Sequence, residues 1–231
     1  IELYSQQFGW TARYAGEDNV LGDANVHFIN AMNPLGLITP ETIKARQEEI
    51  KGEIEKIKGD LASAPQGGLK EKELTDKLGR KERQLSRING YGRKNQVEQY
   101  TAGDDDKLVK VEFHVPVNRS VNFNFRSQDV IHSAYMPHFR AQMNCVPGTI
   151  TEFHFTPTIT TAEMRQKTGN PDFNYILLCN KICGAAHYNM QMDIIVESEE
   201  DYAKWLAEQP RFTSVETAEA RTIVNEQLAQ N

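Results

Sequence analysis

The chain has 231 residues, 39% of them hydrophobic and 25% charged, enough for one domain with a sizeable core and an appendage. Its formal charge of −6 argues against a general nucleic-acid binder and leaves room for a basic partner. No run of about 18 apolar residues occurs, so nothing in this stretch is expected to span a membrane.

The opening, IELYSQQFGWTARYA, has no initiator Met, basic segment or apolar segment and begins directly in a strand-like pattern, so the chain is expected to continue upstream. Residues 8–14 alternate, with Phe8, Trp10, Ala12 and Tyr14 on one face, which predicts a half-buried strand. From Thr39 the character changes. Thr39 as N-cap and Pro40 at the first helical position start a helix whose Ile43, Ile50, Ile54, Ile57 and Leu61 form one stripe. APQGG breaks it, and a second helix carries Leu74, Leu78, Leu85 and Ile88. The two stripes are expected to bury each other in an antiparallel hairpin, a solvated arm without chemistry of its own.

Alternation returns in KLVKVEFHVPV, read as one strand with Val109, Val111, Phe113, Val115 and Val117 on a shared face, and in VNFNF with Val121, Phe123 and Phe125. Further strands are expected at 149–155, 174–179 and 191–197. EDYAKWLAEQ reads as a short amphipathic helix followed by a polar tail. The result is a mainly β fold, a Greek-key sandwich or barrel with an inserted α-helical hairpin. Its expected parts are a strand region at 1–35, the hairpin at 36–94, the main domain at 95–207 and the tail at 208–231.

Chemistry concentrates in CNKICGAAHYNM, residues 179–190. A disulfide between Cys179 and Cys183 would leave His187 and Met190 as coincidences. Zinc has little use for a thioether, and the Gly, Ala and Asn content makes a poor core element. Thiolate, imidazole and thioether together suit copper. Two thiolates on one loop can bridge two copper ions, and each ion then wants an imidazole. His187 serves one. His132, where the chain leaving the VNFNFRS strand is expected to reach a rim loop, is the candidate for the other, with His138 the runner-up; His27, His114 and His154 are expected in structural or surface roles.

QDVIHS, MPHFRAQMNCVPG, CNKICGAAHYNM and EDYAKWL, in that order, resemble the copper-binding domain of cytochrome c oxidase subunit II. The resemblance covers residues 1–14 and 107–207 and passes over the hairpin. It implies a cupredoxin fold and the dinuclear copper centre CuA, with Cys179 and Cys183 bridging, His132 and Met190 completing one ion, and His187 with the Lys181 backbone carbonyl completing the other. It also implies electron transfer from cytochrome c or a c-type haem domain to haem in subunit I, where oxygen is reduced to water with proton pumping. Other oxidase subunits are expected partners, nucleic acid is not, and upstream transmembrane helices would anchor the domain at the periplasmic face of a bacterial inner membrane.

Two departures stand out. Lys181 and Asn144 occupy positions where the family carries carboxylates that help hold magnesium at the subunit I boundary, so that ion is not expected here and the Lys181 ammonium is expected to replace its charge. The family's Q-W-x-W reads Gln7, Phe8, Gly9, Trp10, which moves electron entry to another group such as Tyr135 or the edge of His187. Asp129 matches a docking carboxylate, and Cys145 is a buried thiol without a role. Readings from other classes are a CuA domain like that of nitrous oxide reductase and a copper-delivery module.

Overall fold

The computed structural model describes residues 1–30, 32–93 and 98–212. They fall into two units: Ile1–Leu21 together with the chain from Asp106 onward, and Gly22–Asp105. The expected domain boundary at 94/95 and, past Phe212, the expected tail lie outside the described residues.

In the first unit, β1 (Glu2–Gln6) and β2 (Gly9–Tyr14) form a hairpin turned by Gln7 and Phe8. After the helical unit the chain returns as β3 (Lys107–Val109) and β4 (Glu112–Pro116). Then come β5 (Val121–Ser127), β6 (His132–Met136), β7 (Ala141–Cys145), β8 (Thr151–Phe155), β9 (Tyr175–Cys179) and β10 (Gln191–Glu197). They make two five-stranded sheets, ordered β3-β2-β1-β5-β8 and β4-β10-β9-β6-β7. Both sheets mix antiparallel hairpins with one parallel pair, β1 with β5 and β4 with β10, as crossovers between sheets require. This is the expected β-rich sandwich of two sheets. Its core includes Leu3, Trp10, Phe113, Phe123, Phe125, Leu177 and Ile194.

Two strand expectations are corrected. KLVKVEFHVPV is not one strand, because the chain leaves one sheet after Val109 and enters the other at Glu112, leaving Val111 72% exposed at the crossover. The alternation continues in sequence through a change of sheet, which periodicity cannot register. Nor is β2 half-buried: Thr11 and Arg13 on its second face are as inaccessible as Trp10, Ala12 and Tyr14. Arg13 is held there by Glu2 at 3.0 Å and Asp106 at 2.9 Å, with Arg126 reaching the same Glu2 carboxylate at 3.2 Å. Burial of charge on that scale requires such pairing.

Two helices complete this unit. α3 (Thr161–Thr168), which the sequence reading missed, is closed by a Thr160–Glu163 capping box and by Gly169 in the left-handed region. α4 (Glu199–Glu208) is the expected EDYAKWLAEQ helix, capped by Ser198. It lays Trp205 flat on His114 at 3.9 Å between ring centroids. His114 meets the structural role expected of it, bonded to Glu197 at 2.7 Å and buried.

The second unit contains two long helices. α1 (Pro40–Ala62) starts at Thr39, whose hydroxyl accepts from the Thr42 N–H while the Thr42 hydroxyl accepts from the Thr39 N–H. α2 (Leu69–Tyr91) runs back beside it. Ile43, Ile50, Ile54 and Ile57 are buried as the stripe predicts. On α2 only Ile88 is fully covered, with Leu78 and Leu85 partly so.

Candidate metal centre

The ligand candidates are brought together by strand register. On β9 the inward residues are Tyr175, Leu177 and Cys179, so Cys179 ends a row that points into the sandwich. The loop 180–190 then turns back into β10, and the Cys179 N–H donates to the Met190 carbonyl at 3.1 Å, closing the loop at its base. β6 lies beside β9 with Ala134 opposite Cys179, and this antiparallel register puts His132 level with the loop. His132 is therefore the first residue of a strand, fully buried, rather than part of a rim loop.

Cys179, Cys183 and Cys145 are free thiols. The Cys179 and Cys183 sulfurs are 3.9 Å apart, far beyond the roughly 2.05 Å of a disulfide. The separation is within the span of two metal–sulfur bonds of about 2.3 Å each. Around Cys179 Sγ lie His132 Nδ1 at 3.8 Å and the Lys181 carbonyl at 3.2 Å. Around Cys183 Sγ lie His187 Nδ1 at 3.6 Å and Met190 Sδ at 3.8 Å. Each sulfur thus touches one donor from each of the two pairs that the resemblance implies. A bridging thiolate needs that distribution, whereas a mononuclear thiolate does not. His132, Cys179 and Cys183 have ligand atoms within 4.8 Å of one another. The side chains present therefore fit a dinuclear thiolate-bridged copper centre in donor type and placement.

The surroundings orient these donors. His132 Nε2 lies 2.8 Å from Asp129 Oδ1, so a proton on Nε2 leaves Nδ1 as the lone pair facing the sulfurs. Burial alone would raise the Asp129 pKa, but hydrogen bonds from His132 and from the Gln7 and Val130 N–H groups outweigh it and lower the value. In the chain as it stands, burial and the adjacent Cys179 push the Cys183 thiol up to about 11. Trp10 is a core residue whose indole N–H points at the Met190 carbonyl at 3.4 Å and whose ring sits edge-on 6.4 Å from that of His132.

The remaining expectations are placed as follows. Phe8 is partly exposed and lies over the loop at Gly184, where φ is +146°. Tyr135, three residues after His132, is half-buried in β6 opposite Gln142 and Leu178. His138 sits instead among Phe173 and Tyr175, away from the thiols. Asp129 faces His132 and Gln7 rather than standing free on the surface. Cys145 is opposite His132 in the β6–β7 pair, and burial pushes its thiol up to about 11. The Gln142 amide donates to Asn144 at 2.9 Å and to the Ser133 hydroxyl at 2.5 Å. The Gln7 contact to the centre is not legible from spacing, since Gln7 and Cys183 are 176 positions apart, whereas Asp129 is only three residues from His132.

A family model described as the periplasmic domain of cytochrome c oxidase subunit II matches residues 95–199. The chain is 28% identical over 215 residues to the alternative cytochrome c oxidase subunit 2 of Bradyrhizobium diazoefficiens, covering 93% of this chain and 52% of that one. Such coverage runs through most of the hairpin, which the motif resemblance does not reach. With cytochrome c oxidase subunit 2 of Thermostichus vulcanus the identity is 33% over 101 residues, covering 44% of this chain and 27% of the other. The solved periplasmic domain of subunit II of cytochrome oxidase (CoxB) of Bradyrhizobium japonicum overlaps 42% of this chain and 61% of that one, at 26% identity and a TM-score of 0.35. The chain spans about half the length of the first curated relative and about a quarter of the second. Every candidate ligand lies within residues 95–199, the stretch that is similar to the periplasmic domain of cytochrome c oxidase subunit II.

Proposed function

We propose that this domain is the electron-accepting part of a haem-copper oxidase, taking electrons from a cytochrome c or c-type haem domain and passing them to a haem-bearing subunit I. Oxygen is reduced to water there, with proton pumping. The observation that carries the reading is the pair of unjoined sulfurs 3.9 Å apart, each flanked by one imidazole Nδ1 and one weaker donor. When bound by Cys179, Cys183, His132, His187, Met190 and the Lys181 carbonyl, a dinuclear copper centre supplies one-electron acceptance and release with little rearrangement.

The protein's own contribution is rigidity and exclusion. β6 and β9 fix His132 and Cys179 by their ladder, Asp129 holds the His132 ring, and burial of Cys179 and Cys183 keeps water from their sulfurs. The loop that carries the ligands also exposes Ile182 and Tyr188, each 86% accessible, beside the partly exposed Phe8. This face is where a donor would dock, with Trp10 behind it packed against two ligand-bearing segments. Membrane anchoring and a periplasmic setting follow from the family reading. Among the described residues no helix is long and apolar enough to cross a membrane.

Reconstitution of the 231-residue chain with cupric salt tests the reading. Two copper ions per chain are expected, with a purple colour and the hyperfine pattern of one unpaired electron shared by two copper nuclei. Cys183→Ser should abolish that pattern. A single copper per chain, or a colourless cuprous complex, would overturn the assignment in favour of a delivery module.

A further inference from the structure

The turn between β1 and β2 touches both segments that bear ligands. The Gln7 backbone N–H donates to Asp129 Oδ2 at 2.7 Å, and the other oxygen of that carboxylate receives His132 Nε2 at 2.8 Å. The Gln7 side-chain amide donates to the carbonyl of Cys183. One residue, more than 100 positions away from either partner in sequence, therefore ties the His132 support to the backbone of a cysteine ligand. The approach depends on Gly184. A Cβ there would lie 2.8 Å from the Gln7 amide nitrogen and from the Phe8 ring, and the backbone at that residue is in a region side chains rarely adopt.

We infer that Gln7 is a positioning residue for the metal centre, its side-chain amide fixing the Cys183 carbonyl so that the Cys183 sulfur keeps its place between Met190 and His187. The inference rests on the copper reading above. Its physical basis is that groups which bind a ligand-bearing segment set the orientation and affinity of the ligands, and that their loss typically costs about 10- to 100-fold in metal affinity. The two bonds of Gln7 separate cleanly. Replacing the side chain removes the bond to Cys183 and leaves the backbone bond to Asp129 in place.

The test compares Gln7→Leu, which has similar bulk and no donor, with Gln7→Lys, which restores a donor at the end of a flexible chain. In the copper-loaded 231-residue chain, the rate of copper loss to a chelator should rise about 10- to 100-fold in Gln7→Leu. Gln7→Lys should return it toward the unsubstituted rate. In metal-free chain, alkylation of Cys183, followed by peptide mass, should accelerate in Gln7→Leu and not in Gln7→Lys. Unchanged rates in Gln7→Leu would overturn the inference. So would equal acceleration in both variants, which would mean that packing rather than the hydrogen bond matters. Tryptophan fluorescence confirms folding of each variant, since both tryptophans lie in the sandwich unit. If the unsubstituted chain takes up no copper, the proposed function fails, while the alkylation measurement still decides the role of Gln7.

Discussion

The sandwich unit and the helical unit bury their residues by different means. The sandwich takes charges inside: Arg13, Glu2 and Asp106 are 3%, 2% and 0% exposed. It also brings the sulfur at the end of β9 against an imidazole of β6, 47 positions away in sequence. The helical unit is held by a row of isoleucines, with ion pairs such as Lys51–Glu48 and Lys58–Glu55 on its solvent side. Surface pairs of that kind contribute little, and the hairpin is stabilised by its apolar stripe. Polar interiors pin geometry and break badly when one partner goes, whereas an apolar stripe yields by degrees. A redox centre that needs fixed donors belongs in the first kind of unit.

The contrast is measurable because each unit has its own signal. Trp10 and Trp205 are the chain's two tryptophans and both lie in the sandwich, while α1 and α2, of 23 residues each, dominate the helical ellipticity. The largest effect is expected from Arg13→Leu. It leaves the Glu2 and Asp106 carboxylates buried beside each other's field with their shared cation gone, at a cost of about 3 to 5 kcal/mol. Urea titration followed by tryptophan fluorescence should show the midpoint falling accordingly, and copper uptake should fall with it. A fluorescence midpoint within error of the unsubstituted chain would mean that the buried charges do not hold the sandwich.

Ile50→Ala reverses the probe. Ile50 is fully buried in the helical unit, and truncating it removes apolar contact and leaves a cavity, costing about 2 to 5 kcal/mol. The ellipticity transition should move to lower urea with the tryptophan transition and the copper content unchanged. If both transitions move together, the two units unfold as one and the comparison fails.

What the sequence disclosed follows the same division. The isoleucine stripe of α1, the cap at Thr39 and the 179–190 cluster are local, so spacing alone reveals them. The fully buried row Val121, Phe123, Phe125 is likewise a period-two pattern. What stayed hidden needs contacts between distant segments. Arg13 reads as a solvent-facing strand residue until Asp106, 93 positions on, is brought against it. Gln7 has no assigned role in the sequence until the Cys183 carbonyl meets it 176 positions away. Val111 continues an alternation that the chain has already abandoned by changing sheets.

The smallest effect is expected at the start of α1. Thr39 is buried, its hydroxyl accepts from the Thr42 N–H at 3.2 Å, and the Thr42 hydroxyl in turn accepts from the Thr39 N–H at 2.8 Å. This exchange satisfies two backbone donors that a helix start otherwise leaves without intrahelical partners. Thr39→Ala removes one acceptor and should cost about 1 kcal/mol, read as a modest shift of the ellipticity midpoint with no change in tryptophan fluorescence or copper content. Thr39→Ser keeps the hydroxyl and loses only a methyl group, so most of the shift should disappear. Were Thr39→Ser as damaging as Thr39→Ala, the contribution of this position would lie in the buried methyl rather than in the cap. The helical unit would then rest on apolar contact at the cap of α1 as well as along its stripe.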